Sequence, residues 1–183
     1  MKRLSLLTLF GLAACSTTPQ HYAAEKPEMD FISYFSGLTH GYGSIYDFRG
    51  RLTDRFYVKM EGTPGTTPQG LRTLHLAEEF TYTSGTTQKR AWNVQETAPG
   101  KLQATAADVP GQAHGTQAGN AVQFRYPLTI TRQSGSQITV GSNDWMYMLP
   151  DNTVHNRNTF SKFGIPVAEM IIAFTKTKPE PTP

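Results

Sequence analysis

Apolar and polar side chains alternate with a period of two through much of the chain. In Leu52–Glu61 the even positions are apolar except Asp54, and the odd positions are mainly polar. Val122, Phe124, Tyr126, Leu128 and Ile130 alternate in the same way with Ala121, Gln123, Arg125, Pro127 and Thr129. This pattern gives a strand one buried face and one wet face. Pro127 removes a ladder donor, so a bulge or a local edge is expected there. Turn signals fall at Arg49-Gly50, Pro64-Gly65, Ser84-Gly85, Pro99-Gly100, Ser134-Gly135 and Pro150-Asp151-Asn152. Most are spaced more widely than the roughly 8–12 residues of a short-stranded sandwich. The pattern predicts an all-β fold, an eight-stranded up-and-down antiparallel barrel. Its strands are expected at about 40–48, 51–62, 71–83, 87–97, 101–109, 120–132, 136–148 and 153–175, the last interrupted near Gly164-Ile165-Pro166. A short N-terminal helix is expected over Phe31–Phe35, with Asp30 as its cap. Gly111–Gly119 reads as a flexible corner between strands.

Parity fixes one contact inside this barrel. Leu74, Leu76, Glu78, Phe80 and Tyr82 share one strand face, and Arg90, Trp92 and Val94 share another. Both sets point inward only if paired residue numbers sum to an even value, such as 170, across an odd-length loop. Glu78 then lies opposite Trp92 and diagonal to Arg90, close enough for an ion pair.

The two ends lack this period. Lys2-Arg3, the apolar run Leu4–Leu12 and the small pair Ala13-Ala14 before Cys15 have the layout of an export signal. The run is about half the roughly 20 residues needed to cross a bilayer as a helix. Leu12-Ala13-Ala14-Cys15 has the form of a bacterial lipobox, which predicts a signal peptide over 1–14 and acylation (palmitate or a similar chain) at Cys15. Two or three acyl chains hold a protein stably on a membrane. Ser16 is not the Asp that retains such proteins at the inner membrane, so the expected address is the periplasmic face of the outer membrane. Residues 15–29 read as a tether, 30–175 as the barrel, and 176–183, with three prolines, as a disordered tail.

Composition removes several function classes. Without Lys2 and Arg3, 15 Lys+Arg stand against 14 Asp+Glu. That balance leaves no cationic excess to explain, and nucleic-acid binding is not expected. Cys15 is the one cysteine, so no intrachain disulfide or CxxC site exists. The five histidines show no HxH, HxxxH or HExxH spacing, so no metal site is expected. There is no GxSxG elbow, Walker loop or GxGxxG turn, and no cofactor or catalytic set is assigned. Asp144, His155 and Ser161 form a hydrolase only on paper. Outward-facing charges such as Arg55, Lys59, Glu61, Lys89, Arg125 and Arg132 do not suit hydrocarbon, which argues against a transmembrane barrel.

The aromatic residues Phe80, Tyr82, Trp92, Phe124, Tyr126, Trp145 and Tyr147 can fill the barrel or line a ligand site within it or at its mouth. The candidate ligand-binding residues are Arg90, Trp92, Tyr126, Trp145, Arg157 and Lys162. The last two are cations available to a carboxylate or phosphate head group.

Arg90-Ala91-Trp92, Ala107–Gly115, Gly119-Asn120-Ala121 with Arg125-Tyr126, Asp144–Tyr147, and Asn156-Arg157 followed by Ser161–Gly164 are similar, in order and spacing, to a known family. That family is the bacterial lipoproteins catalogued as domain of unknown function 3833. Phe31–Gly37 extends the likeness through nearly the whole folded unit. The sequence departs from it at Asn143, where the pattern has an acidic residue, and at Pro127. The resemblance implies a lipocalin-like barrel and, because members are often encoded near fatty-acid-modifying enzymes, lipid chemistry nearby. Three roles remain open. The first is a lipid-anchored protein binding a fatty-acid or lipid-like apolar ligand. The second is a structural or interaction lipoprotein with a filled barrel, and the third is a lipid-modifying enzyme. The sequence does not set the oligomeric state.

Overall fold

The computed structural model describes residues 17–132 and 134–178. Ten strands follow one another in order: β1 Gly37–Asp47, β2 Leu52–Thr66, β3 Arg72–Tyr82, β4 Thr87–Ala98, β5 Lys101–Ala106, β6 Ala113–Ala118, β7 Ala121–Thr131, β8 Gln137–Met148, β9 Val154–Lys162 and β10 Ile165–Thr175. Each is antiparallel to the next. β1 pairs with β10 from His40↔Thr175 to Asp47↔Ala168, so the sheet closes on itself and has no edge strand.

The architecture is the expected all-β barrel, but it has ten strands where eight were expected. Gly111–Gly119, read as a flexible corner, contains β6. The positions of β6 on the inward parity are Ala113, Gly115 and Gln117, two too small and one polar, so none registers as a hydrophobic period. A Cβ on Gly115 would lie 2.5 Å from the Phe124 ring, so the large residue opposite occupies that space. The long final strand divides into β9 and β10 at Phe163-Gly164. Both residues have positive φ, +53° and +78°, and Lys162 pairs with Ile165 across them. This two-residue hairpin turn usually carries Asn-Gly, and Phe hides the signal. At Pro127, β7 has outrun its pairing with β6, which ends at His114↔Arg125. Pro127 therefore sits on a local edge, and β7 keeps its register with β8 past it.

The β3–β4 hairpin has a three-residue loop, Thr83-Ser84-Gly85, closed by Tyr82 N–H to Thr86 O at 2.9 Å, with Gly85 at φ +84°. Pairs sum to 168 (Leu74↔Val94, Leu76↔Trp92, Glu78↔Arg90), two less than expected. A shift of two preserves both faces and puts Glu78 directly opposite Arg90.

Helix α1, Phe31–Phe35, begins where expected: Ser33 N–H donates to Asp30 Oδ1 at 2.7 Å. Asp30 also receives Arg72 Nη1 and Nη2 at 2.7 and 2.6 Å. Phe31, Ile32, Tyr34 and Phe35 are buried, and α1 plugs the end of the barrel where β2–β3, β4–β5, β6–β7 and β8–β9 turn. Gly62 lets it sit down, since a Cβ there would lie 1.8 Å from Phe35 O.

The described part of the expected tether, Thr17–Met29, is docked on the barrel. Pro19–Tyr22 forms a 3₁₀ turn, Pro19 and Met29 are buried, and Met29 N–H donates to Gly119 O at 2.8 Å. Tyr22 O lies where a Gly119 Cβ would fall. Packing by isolated side chains has no period, so the sequence does not reveal it. Residues 1–16, with the signal and Cys15, and the tail from 179 lie outside the described residues. Every strand, with its pairing partners on both sides, comes from the polypeptide after residue 16. No described helix is long and apolar enough to cross a membrane.

Candidate ligand site in the barrel interior

Alternation sends Val58 and Met60 of β2, Leu76 and Phe80 of β3, Trp92 and Val94 of β4, Phe124 of β7, Met146 of β8, and Met170, Ile172 and Phe174 of β10 inward. With Phe31 and Phe35 of α1 they enclose a cavity of about 70 Å³. It runs from the α1 plug toward Phe80 and Met170. Phe56, Phe80 and Tyr82 cluster at the far end with ring centroids 5.4–6.2 Å apart.

One wall is polar. Arg90 carries its guanidinium inward from β4, with Nε 2.9 Å from Asp108 Oδ2 and Nη1 3.9 Å from Glu78 Oε2. Its Cζ stands 4.2 Å from the Trp92 ring centre, and Trp92 meets Tyr126 edge-on at 5.2 Å. The Tyr126 hydroxyl donates to Asp144 Oδ2 and accepts from Asn158 Nδ2, both at 3.1 Å. Ser142 Oγ donates to Asn158 Oδ1 at 2.7 Å, and Asn156 Nδ2 donates to Asp144 Oδ1. Glu78 and Arg90 side chains are 9% and 16% exposed. Glu78 Oε2 and Arg90 Nη2 are buried without a hydrogen-bond partner.

Burial sets the charge state here. Desolvation pushes Glu78 up to about 7, against the pull of Arg90, and Asp144 up to about 6, against the hydrogen bonds from Asn156 and Tyr126. The Tyr126 phenol is pushed up by burial and by the neighbouring Asp144 carboxylate, and it stays protonated as a donor. Near neutrality the wall thus offers a guanidinium, two carboxyls that hold a proton readily, and a phenol. It can accept and donate hydrogen bonds to a buried polar group, and it can exchange a proton with one. The paper triad does not assemble: Asp144 faces inward, while His155 and Ser161 belong to the opposite parity of β9. Among the described residues no group of three His, Cys, Asp or Glu could hold a metal.

Of the six residues read from sequence as ligand contacts, Arg90, Trp92 and Tyr126 meet at the cavity. Trp145 and Arg157 do not. They face outward from β8 and β9, bordering an external cleft with Thr17, Tyr22, Gln123, Arg125 and Asn143. There Trp145 stacks on Tyr147 at 5.6 Å, Tyr22 covers both rings, and Arg157 pairs with Glu169. With the Gln123 amide oriented by its donors, its oxygen accepts from Arg125 and from Trp145 Nε1 at 3.1 Å. In Asp144–Met148 both faces of the strand are largely apolar, so alternation alone cannot choose between them. Lys162 lies at the far end of the barrel, where its ammonium donates to Thr139 O at 2.6 Å. Sequence reasoning did not assign Asp108, Ser142, Asp144, Asn156 and Asn158 to a ligand site. Their signal was polar residues in phase with buried ones: Ser142 and Asp144 with Met146 and Met148, and Asn156 and Asn158 with Val154 and Phe160.

A search of solved structures finds an S-type phycobiliprotein lyase from Guillardia theta, with a TM-score of 0.60 and 9% identity, covering 90% of this chain and 100% of that one. At that identity the likeness shows the fold, a lipocalin-like barrel. No curated protein matches the chain. The family described as Protein of unknown function (DUF3833) matches residues 9–176, nearly the whole chain, and the protein belongs to that family.

Proposed function

We propose that the protein is a lipid-anchored, lipocalin-like binding protein of the cell envelope. Its ligand is a slender lipid-like molecule whose apolar part lies in the barrel and whose polar end meets Arg90 and Glu78. The observation that carries this reading is the pair of polar atoms, Arg90 Nη2 and Glu78 Oε2, buried beside an apolar cavity without hydrogen-bond partners. A barrel that only had to be stable gains little from a buried guanidinium among three carboxyls, and apolar replacements are often as good or better. Arg90 Nη2 calls for an acceptor and Glu78 Oε2 for a donor. A hydroxyl, carboxylic acid or amide supplies both. A pocket for a ligand of ordinary size is about 300–1,000 Å³, so a ligand enters only as the lining repacks. Met60, Met146 and Met170, unbranched and adaptable, allow that.

The anchor rests on Lys2-Arg3, Leu4–Leu12 and the lipobox ending in Cys15, and the outer-membrane, periplasm-facing address rests on Ser16. In the host, Cys15→Ser is expected to leave an unprocessed precursor at the inner membrane. Soluble mature protein with a free thiol would overturn the anchor.

The small cavity favours a second reading, a filled barrel whose partners bind outside. Native mass spectrometry of the protein from its own host separates the two. The binding reading expects one lipid-like mass increment, lost on denaturation, and uptake of N-phenyl-1-naphthylamine by the emptied protein. A bare mass together with no dye uptake decides for the filled barrel.

A further inference from the structure

We infer that the end of the barrel opposite α1 is a membrane-docking face that seats the protein on an anionic phospholipid surface, apart from any ligand inside. Nine large apolar side chains stand exposed among the described residues. Six of them, Phe48, Leu52, Ile130, Phe163, Ile165 and Val167, belong to the turns β1–β2, β7–β8 and β9–β10 or their flanks. In an up-and-down barrel those turns all emerge at one end. Phe163 is 91% exposed, Phe48 69% and Ile165 68%. Exposed apolar groups gathered at one end of a molecule mark an interaction site.

The charge around them selects the partner. Arg49 lies over the Phe48 ring at 5.1 Å and Lys162 over the Phe163 ring at 5.0 Å, so each tip joins an aromatic ring to a cation. Rings that enter the acyl boundary beside cations at headgroup level are the pattern of an interfacial anchor. The acids at this end are occupied within the molecule. Asp47 is held by Arg51 and its own turn, Asp54 by the Thr83 hydroxyl and the Arg55 amide, and Asp108 by Arg90. The position of the chain agrees. Thr17 lies in the outer cleft with Arg157 and Thr159, and those two residues also border the groove that holds Phe48 and Pro166. Two peptide units separate Cys15 from Thr17, a reach of about 7 Å. An acylated Cys15 is thereby tied to the wall that leads to these tips.

Phe163 also carries a local cost. At φ +53° in a two-residue turn, Asn is the favoured residue and a bulky ring is not. Phe163→Asn therefore suits the fold better while removing the tip. The test uses the polypeptide from Ser16 onward, which contains every strand of the closed barrel, in flotation with vesicles of phosphatidylglycerol and phosphatidylethanolamine in equal parts, and of phosphatidylcholine alone. The protein is expected to float with the anionic vesicles and to dissociate as salt rises. Phe48→Ser with Phe163→Asn should weaken binding by about tenfold or more, with an unchanged β dichroism spectrum. Leu38→Ser, an exposed apolar position at the α1 end, should leave binding unchanged. Failure of the wild-type polypeptide to float, or equal flotation of the double variant, would overturn the inference. So would a concentration-dependent dimer abolished by Phe48→Ser, which would assign the face to a second copy. None of these outcomes depends on the interior ligand, so dye uptake can succeed while docking fails, and the reverse.

Discussion

Glu78 and Arg90 face inward where their neighbours Glu79 and Lys89 face outward, and that decides most of what each pair is worth. The Lys89–Glu79 pair spans 3.5 Å on the outer wall, with side chains 80% and 50% exposed. Solvent and salt screen it, and Lys89→Ala should cost less than about 1 kcal/mol. Arg90→Ala leaves Glu78 and Asp108 without their cation, and a loss of about 3 kcal/mol in urea unfolding is expected. Equal losses would count against the buried pair. The same wall sets a pH dependence. Glu78 and Asp144 are both raised above their ordinary values, to about 7 and about 6. Between roughly pH 4 and 7 the folded state therefore binds more protons than the unfolded one, and these two groups lower stability as pH rises through that window. Asp30, held low by Arg72, acts only at more acid pH and with the opposite sign. Stability is expected to fall by a few kcal/mol from pH 5 to pH 8, and Glu78→Gln should remove about two-thirds of that fall. A flat profile in the wild type would refute the assignment. The facing of Glu78 and Arg90 was legible from parity, because alternation over Leu74–Tyr82 and Arg90–Val94 is local. The exact pairing was not, since a register shift of two leaves both faces unchanged.

At the level of elements, the helix plug and the docked N-terminal segment both rest on glycines. The approach of Tyr22 O to Gly119 leaves no room for a side chain, and Gly119 also has φ +53°. Gly119→Ala is expected to unseat Thr17–Met29 while the ten-strand barrel persists. The visible signs would be a red-shifted Trp145 emission and faster cleavage after Glu25 by a glutamyl endopeptidase. Unchanged emission and cleavage would show that the segment does not depend on this contact. The Asp30 cap was readable because an Asp before an apolar run has a local partner, the amide three residues on. The docked segment and β6 were not, because Pro19, Met29, Ala113 and Gly115 acquire meaning only from what stands opposite them.

For the whole molecule, closure through β1 and β10 means that the ends of the fold support one another. Lys176, just past β10, reaches Ser36 O at 3.0 Å, at the junction of α1 and β1. A chain starting at Asp30 keeps every strand but loses the burial of Pro19 and Met29 and the cover over Trp145. It is expected to be less stable than a chain starting at Ser16 by about 3 kcal/mol, a Tm lower by roughly 5–12 °C. Both should show the same β dichroism. Equal Tm values would return the segment to the status of a tether.

Properties that depend on neighbours along the chain were determined by the sequence itself. These are the all-β class, the inward face of most strands, the capped helix, the odd-length β3–β4 loop and the cation–carboxylate pair inside. The tertiary structure decided what depends on neighbours across the barrel. A glycine counts as a strand residue only when Phe124 fills the space beside it. Trp145 and Arg157 go to the outer wall because Ser142, Asp144, Asn156 and Asn158 find one another on the inner one. The size of the cavity and its two unpartnered atoms exist only once ten strands close, because both are differences between facing side chains that are far apart in the chain.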